Sequence, residues 1–164
     1  MANKLEKAEL TVEVEYDPVT KNVVSERFFL DGQLHREGDL PASIKYDAAT
    51  GKPVEVRFYK HGELHRPGKP ALLEIDPETD VIFKEQYFIR GVTHRDGDYP
   101  AIIVRDRRTG TILAETYVVE DMWHRKSGPA KIYYDPATGK VSEQTYFHYG
   151  QQRRASKPKN PEIN

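Results

Sequence analysis

Phe58-Tyr59-Lys60-His61-Gly62-Glu63-Leu64-His65-Arg66-Pro67-Gly68-Lys69-Pro70-Ala71 is the stretch on which the fold turns, because it returns along the chain. His-Arg recurs at His35-Arg36, His65-Arg66, His94-Arg95 and His124-Arg125, with a degraded copy at Arg153-Arg154. Pro-Ala follows each intact copy, at Pro41-Ala42, Pro70-Ala71, Pro100-Ala101 and Pro129-Ala130. An aspartate opens a turn shortly after, at Asp47, Asp76, Asp106 and Asp135, and Asp17 is its earliest copy. A period near 30 residues marks a repeat array, in which no unit buries its apolar face alone.

Two turn signatures alternate. Asp135-Pro136-Ala137-Thr138-Gly139 is the clearest copy of the first, whose aspartate, proline and glycine suit a type I turn that ends in a residue of positive φ. The second is a two-residue turn at Asp31-Gly32, His61-Gly62, Arg90-Gly91 and Tyr149-Gly150. Asp121 takes the glycine position in the fourth copy. Between the turns, apolar residues alternate with polar ones. Ala42, Ile44 and Tyr46 flank Ser43 and Lys45, and Val12, Val14 and Tyr16 flank Glu13 and Glu15. This period of two, with β-branched and aromatic residues, predicts half-buried strands. A fixed aromatic column, Phe28, Phe58, Tyr87, Tyr117 and Tyr146, is expected to form the core. No window has sustained helical periodicity. The expected fold is all-β: an elongated antiparallel meander of about five hairpin units over residues 11–154, with a cap over 1–10 and a disordered tail over 155–164.

One irregularity runs through the repeats. Four residues separate Arg from Pro after Arg36 and Arg95, but three after Arg66 and Arg125. If the chain reverses three times per unit, direction flips at each unit and the true repeat is two units long. That flip is the expectation.

Composition narrows the function classes. The chain has 164 residues, 37% hydrophobic and 31% charged, a lean apolar supply that suits a thin sheet. Lys plus Arg number 25 against 26 Asp plus Glu, so no global charge drives it to nucleic acid or membrane. It has no cysteine, hence no disulfides, thiolate metal ligands or cysteine nucleophile. Met1 to Leu10 has neither a signal peptide's apolar run nor a membrane span, and a cytoplasmic protein is expected.

The string aromatic-x-x-Gly-x-x-His-Arg-x-x-Gly-x-Pro-Ala resembles the MORN-like repeats of bacterial, phage and large-virus proteins, over about residues 11–154. The units here are longer, and His-Arg stands where MORN units often carry another glycine. The resemblance implies hairpins laid side by side into an elongated sheet that works as a scaffold for protein or lipid contacts. Some bacterial relatives resemble antitoxin components. No site residue is carried over from the family.

Candidate residues come from the repeated columns. Counting across the two-residue turns sets each His of the column opposite an aromatic, so every imidazole is expected to lie on a ring, with Arg153 facing Tyr146 in a cation–π contact. Zinc is not expected. Equivalent residues two or three strands apart lie about 10–14 Å apart, from a strand spacing of about 4.8 Å, too far for a shared ion. The same count sets Arg27 opposite Arg36 and Arg57 opposite Arg66, two like-charge pairs that need an anion, with Glu26 and Glu55 directed to the other face. Arg36, Arg66, Arg95 and Arg125 are therefore candidate partner-binding residues. Trp123 joins them with Met122, since it replaces Leu34, Leu64 and Thr93 in its column and aromatic anchors favour interfaces.

Ser25, Ser43, Ser127, Ser142 and Ser156 lack a His–acid pair at a nucleophile elbow, and no glycine-rich phosphate loop opens a helix. No catalytic residue, cofactor or metal is assigned. The expectation is a non-enzymatic binding protein with a protein partner, of an antitoxin, immunity or anti-defence kind. The alternative is a binder of nucleic acid or anionic lipid through the Arg column. Open edge strands also permit a homo-oligomer.

Overall fold

The computed structural model describes residues 8–154. The cap expected over 1–10 falls mostly, and the tail over 155–164 wholly, outside the described residues. The described residues form one 12-stranded antiparallel sheet, flanked by three separate two-stranded hairpins, and among them no helix is long and apolar enough to cross a membrane. Each of five units adds two neighbouring strands to the sheet, such as Ser43–Tyr46 with Pro53–Arg57 and Leu72–Ile75 with Ile82–Gln86.

Both turn types have the chemistry their residues imply. In the first, Asp47 Oδ1 accepts from the Thr50 amide at 2.8 Å and from its hydroxyl at 2.8 Å, and Gly51 donates its amide to the Asp47 carbonyl. The other four copies repeat this, even where Lys21 (φ 61°) and Asp80 (φ 58°) stand in for glycine. In the second, both residues have positive φ in every copy, for example His61 at 49° and Gly62 at 80°, the signature of a type I′ hairpin turn. Glu120 and Asp121 hold the same geometry without glycine, at 50° and 61°.

The expected flip of direction does not occur. The short strand Gln33–Leu34 and the sheet strand Ser43–Tyr46 both pair antiparallel with Val23–Leu30, one above the other. The segment between them shifts the chain sideways and back without reversing it. Each unit therefore has two reversals and points the same way as its neighbour.

That excursion, from His to Ala, is closed at its neck by a single aromatic residue. Phe58 accepts from the His65 amide at 3.0 Å and donates its own amide to the Ala71 carbonyl at 2.8 Å. Phe28, Tyr87 and Tyr117 do the same for their own excursions. The alanines Ala42, Ala71, Ala101 and Ala130 are 0% exposed, because each is bonded on both sides: Ala71 also donates to the Gln86 carbonyl of the next unit. Phe58, Tyr87 and Tyr117 are buried, as expected of a core, while Phe28 and Tyr146 at the ends are only half-buried. The sheet is thin, and among the described residues no large side chain is fully buried.

Candidate functional site

The His-Arg column lies on these excursions, and the aromatic ring beneath each one seats the arginine rather than the histidine. The guanidinium carbon is 3.7 Å from the Phe28 ring centroid at Arg36, 3.5 Å from Phe58 at Arg66, 3.9 Å from Tyr87 at Arg95 and 3.8 Å from Tyr117 at Arg125. The reason is the neck. With the His amide bonded back to the aromatic carbonyl, the following residue is the one that folds over the ring. Arg36, Arg66 and Arg95 are then pinned by Nη1 donating to the carbonyls of Pro41, Pro70 and Pro100, at 3.3, 3.3 and 3.0 Å.

The histidines instead join one unit to the next. His65 Nδ1 accepts the Arg90 amide at 3.1 Å, and His35 accepts that of His61 at 3.1 Å. His94 and His124 take the amides of Glu120 and Tyr149 at 3.4 and 3.3 Å. Every donor is the first residue of the next type I′ turn, so the column links successive hairpins. This bond requires an unprotonated Nδ1, which leaves Nε2–H to donate to Glu37 at 2.9 Å from His35 and to Asp96 at 3.1 Å from His94. Burial, then the charges of His148 and Arg153, hold the His124 imidazole below its ordinary pKa.

The expected like-charge pairs are absent, because Arg36 and Arg66 lie in the excursions and not on strands. Arg27 pairs with Ser43 in register and its Nη2 contacts Glu13 and Glu15 at 3.1 and 2.6 Å. Arg57 bonds Glu55 at 2.8 Å, since residues two apart share a face and Glu55 is not on the far side. Glu26 does lie opposite Arg27 and accepts the Tyr46 hydroxyl at 2.6 Å. Burial and the Glu26 carboxylate push that phenol up to about 12. Arg153 faces Tyr146 in register as expected, but its Nη2 lies 3.2 Å from His148 Nδ1 and it makes no cation–π contact with that ring.

The four arginines fall into two classes, and loop length separates them. The four-residue loops carry Asp39 and Asp98, each reaching the arginine of the following unit. Asp39 takes Arg66 Nε at 2.6 Å and Nη2 at 3.2 Å, and Asp98 takes Arg125 Nε at 2.9 Å and Nη2 at 3.1 Å. These are bidentate pairs, the strong form of the contact. Arg66, with Lys69 at 2.7 Å, holds the Asp39 carboxyl well below the usual carboxylate range. The three-residue loops, Pro67-Gly68-Lys69 and Lys126-Ser127-Gly128, have no carboxylate to offer. Among the described residues no carboxylate lies in ion-pair range of Arg36 or Arg95. Asp39 and Asp98 escape a reading of the columns, although the Gly-Asp unique to the longer loops marks them.

Trp123 is 41% exposed and Met122 37%, on the fourth hairpin. The indole packs edge-on against Phe147 at 4.9 Å, and Lys131 Nζ lies 3.1 Å from its centroid. One face of the ring is thus covered by an ammonium group, whose pKa burial lowers. Phe147 and Lys131 are not among the sequence candidates, although Phe147 stands in a column with Phe29, Tyr59 and Phe88 that marks it. Among the described residues no group of three or more His, Asp or Glu side chains is placed to hold a metal ion. No protein-family model, curated protein or solved structure matches the chain.

Proposed function

We propose that the chain is a non-enzymatic binding protein that contacts a protein partner through the surface of its array. Its kind is the antitoxin, immunity or anti-defence inhibitor, which blocks a partner by contact, and the MORN-like resemblance agrees with such a role. The observation that carries the reading is the unequal Arg column beside the exposed Trp123 and Met122. Two guanidinium groups, at Arg36 and Arg95, are seated and pinned yet have no carboxylate, while an aromatic residue stands exposed on the same array. Such pre-seated arginines and aromatic anchors suit protein interfaces, where Trp and Arg supply most of the energy.

Tracking of a phosphate backbone asks for a continuous row of free cations. Here Arg66 and Arg125 are occupied by Asp39 and Asp98, which weighs against nucleic acid or anionic lipid. The test is affinity capture with the tagged chain from its native host, then reconstitution of the complex from purified components. Trp123→Ala is expected to weaken that complex about tenfold or more, with little change in affinity between low and moderate salt. Affinity that collapses with salt and is indifferent to Trp123→Ala would turn the reading to a phosphate ligand.

A further inference from the structure

We propose that Arg95, at the junction of the second and third units, is a receptor for a carboxylate supplied by an Asp or Glu side chain of the partner. The proposal rests on the protein-binding reading and names the chemistry of one of its contacts. The molecule carries its own template. In Arg66 and Arg125, a guanidinium lying on an aromatic ring presents Nε and Nη2 to the loop of the preceding unit, and an aspartate there takes both.

Arg95 has the same seat. It lies on Tyr87, its Nη1 is pinned to the Pro100 carbonyl at 3.0 Å, and the Tyr99 ring centroid is 5.1 Å from its guanidinium carbon. The preceding loop is one residue short and brings Gly68, where the junctions at Arg66 and Arg125 bring Asp39 and Asp98. What remains is a cavity of about 210 Å³ whose lining includes Arg66, Gly68, Tyr87, Arg95, Asp96 and Tyr99. Its charged lining is two guanidinium groups and one carboxylate. Arg66 is already paired with Asp39, and Asp96 is turned to His94 with its side chain 86% exposed, so Arg95 is the guanidinium left over. An arginine held against an aromatic ring and a backbone carbonyl loses little freedom on binding, and the bidentate fork selects a planar carboxylate. Arg36 lacks the same partner, but it borders an apolar cleft lined by Leu10, Val12 and Phe29, and among the described residues no preceding loop shapes a slot there.

The test is a titration of the full chain, isotope-labelled at arginine, with N-acetyl-aspartate amide as a stand-in for an aspartyl side chain. Inorganic phosphate at equal ionic strength is the competing arm. The expected result is a saturable shift of the Arg95 Nε–H signal, with Arg66 and Arg125 unmoved and phosphate at least several-fold weaker. Inserting an aspartate between Gly68 and Lys69 recreates the Gly-Asp-x-Pro loop and should abolish that response, at least tenfold in affinity. No shift at Arg95, equal shifts at all the arginines, or tighter phosphate binding would overturn the proposal. No partner is needed for this titration. A silent Arg95 beside a complex that Trp123→Ala weakens rejects the carboxylate site alone. A responding Arg95 with no protein complex rejects the wider reading alone.

Discussion

The junction between the first and second units and the junction between the second and third are built from the same repeat, yet they close differently. At the first, Asp39 reaches across to Arg66 and Lys69. At the second, the shorter loop has no acid, and Arg95 is held only by rings and a carbonyl. The second junction keeps other links: an Arg66 amide bond to the Phe88 carbonyl at 3.3 Å, and an exposed Lys52–Asp80 pair at the far end of the sheet. The junction of the third and fourth units repeats the first through Asp98 and Arg125. The lesson is that one residue of loop length decides whether a repeated arginine is structural or available. Units thereby associate in pairs without any change in direction.

The largest effect should come from the rings under the arginines. Phe58→Ala and Tyr87→Ala should each cost about 3–5 kcal/mol by denaturant unfolding, the range for a buried aromatic. Phe58→Ala should cost the more, because it also unseats the guanidinium that Asp39 holds, whereas Tyr87→Ala releases an arginine with no acid partner. Equal losses would mean that the Asp39 pair adds nothing to the first junction.

Enlarging the neck comes next. Ala71→Leu and Ala101→Leu should each cost about 1–3 kcal/mol, as overpacking of a filled site does. Both alanines are 0% exposed and bonded on two sides, so a larger side chain forces neighbouring strands apart. Wild-type stability in either would break the account of the excursion, whichever junction it borders.

The histidine links should be worth less. His65→Leu and His94→Leu each leave a turn amide without its acceptor, at a cost of about 1 kcal/mol. The loss should be greater for His65, whose junction lacks an Arg–Asp pair to share the load. Acid tests the same links in the intact protein. The lowered pKa of His124 means that the unfolded chain takes up a proton before the native one does. Stability is therefore whole above about pH 6.5 and falls as pH drops below it toward the depressed native value. A second fall should follow below about pH 4, where the aspartates bonded to Thr50 and Thr109 and the Asp39 carboxylate must be protonated. A melting temperature flat from pH 7 to 5 would contradict the lowered pKa of His124.

The smallest effect expected is at the exposed acids. Asp39→Asn and Asp98→Asn should lower the melting temperature slightly, and Arg95→Gln should leave it nearly unchanged.

Much of this architecture was legible. Alternation in Ala42–Tyr46, the Asp-x-x-Thr turns and the Gly-containing hairpin turns are local signals, and local hydrogen bonding settles them. The aromatic column was legible as core in its three central copies because a large ring returns at the same place in every unit. What was not legible was the sideways excursion. Pairing counted outward from the turn holds through Leu34 and ends at the His amide, after which the chain leaves the strand. Arg36 and Arg66 therefore escaped their expected partners, and the histidine lost its ring to the arginine. The odd–even loop was noticed as a length, but its cause is a contact between residues 27 apart, Asp39 with Arg66, which no strand period encodes.

The most direct test of the central claim is hydrogen exchange at the four arginine Nε–H groups of the folded chain, resolved by nitrogen-15 NMR. Slow exchange is expected at Arg66 and Arg125, where a carboxylate holds Nε, and fast exchange at Arg36 and Arg95. Four equal rates, or protection at Arg95 equal to that at Arg66, would contradict the claim.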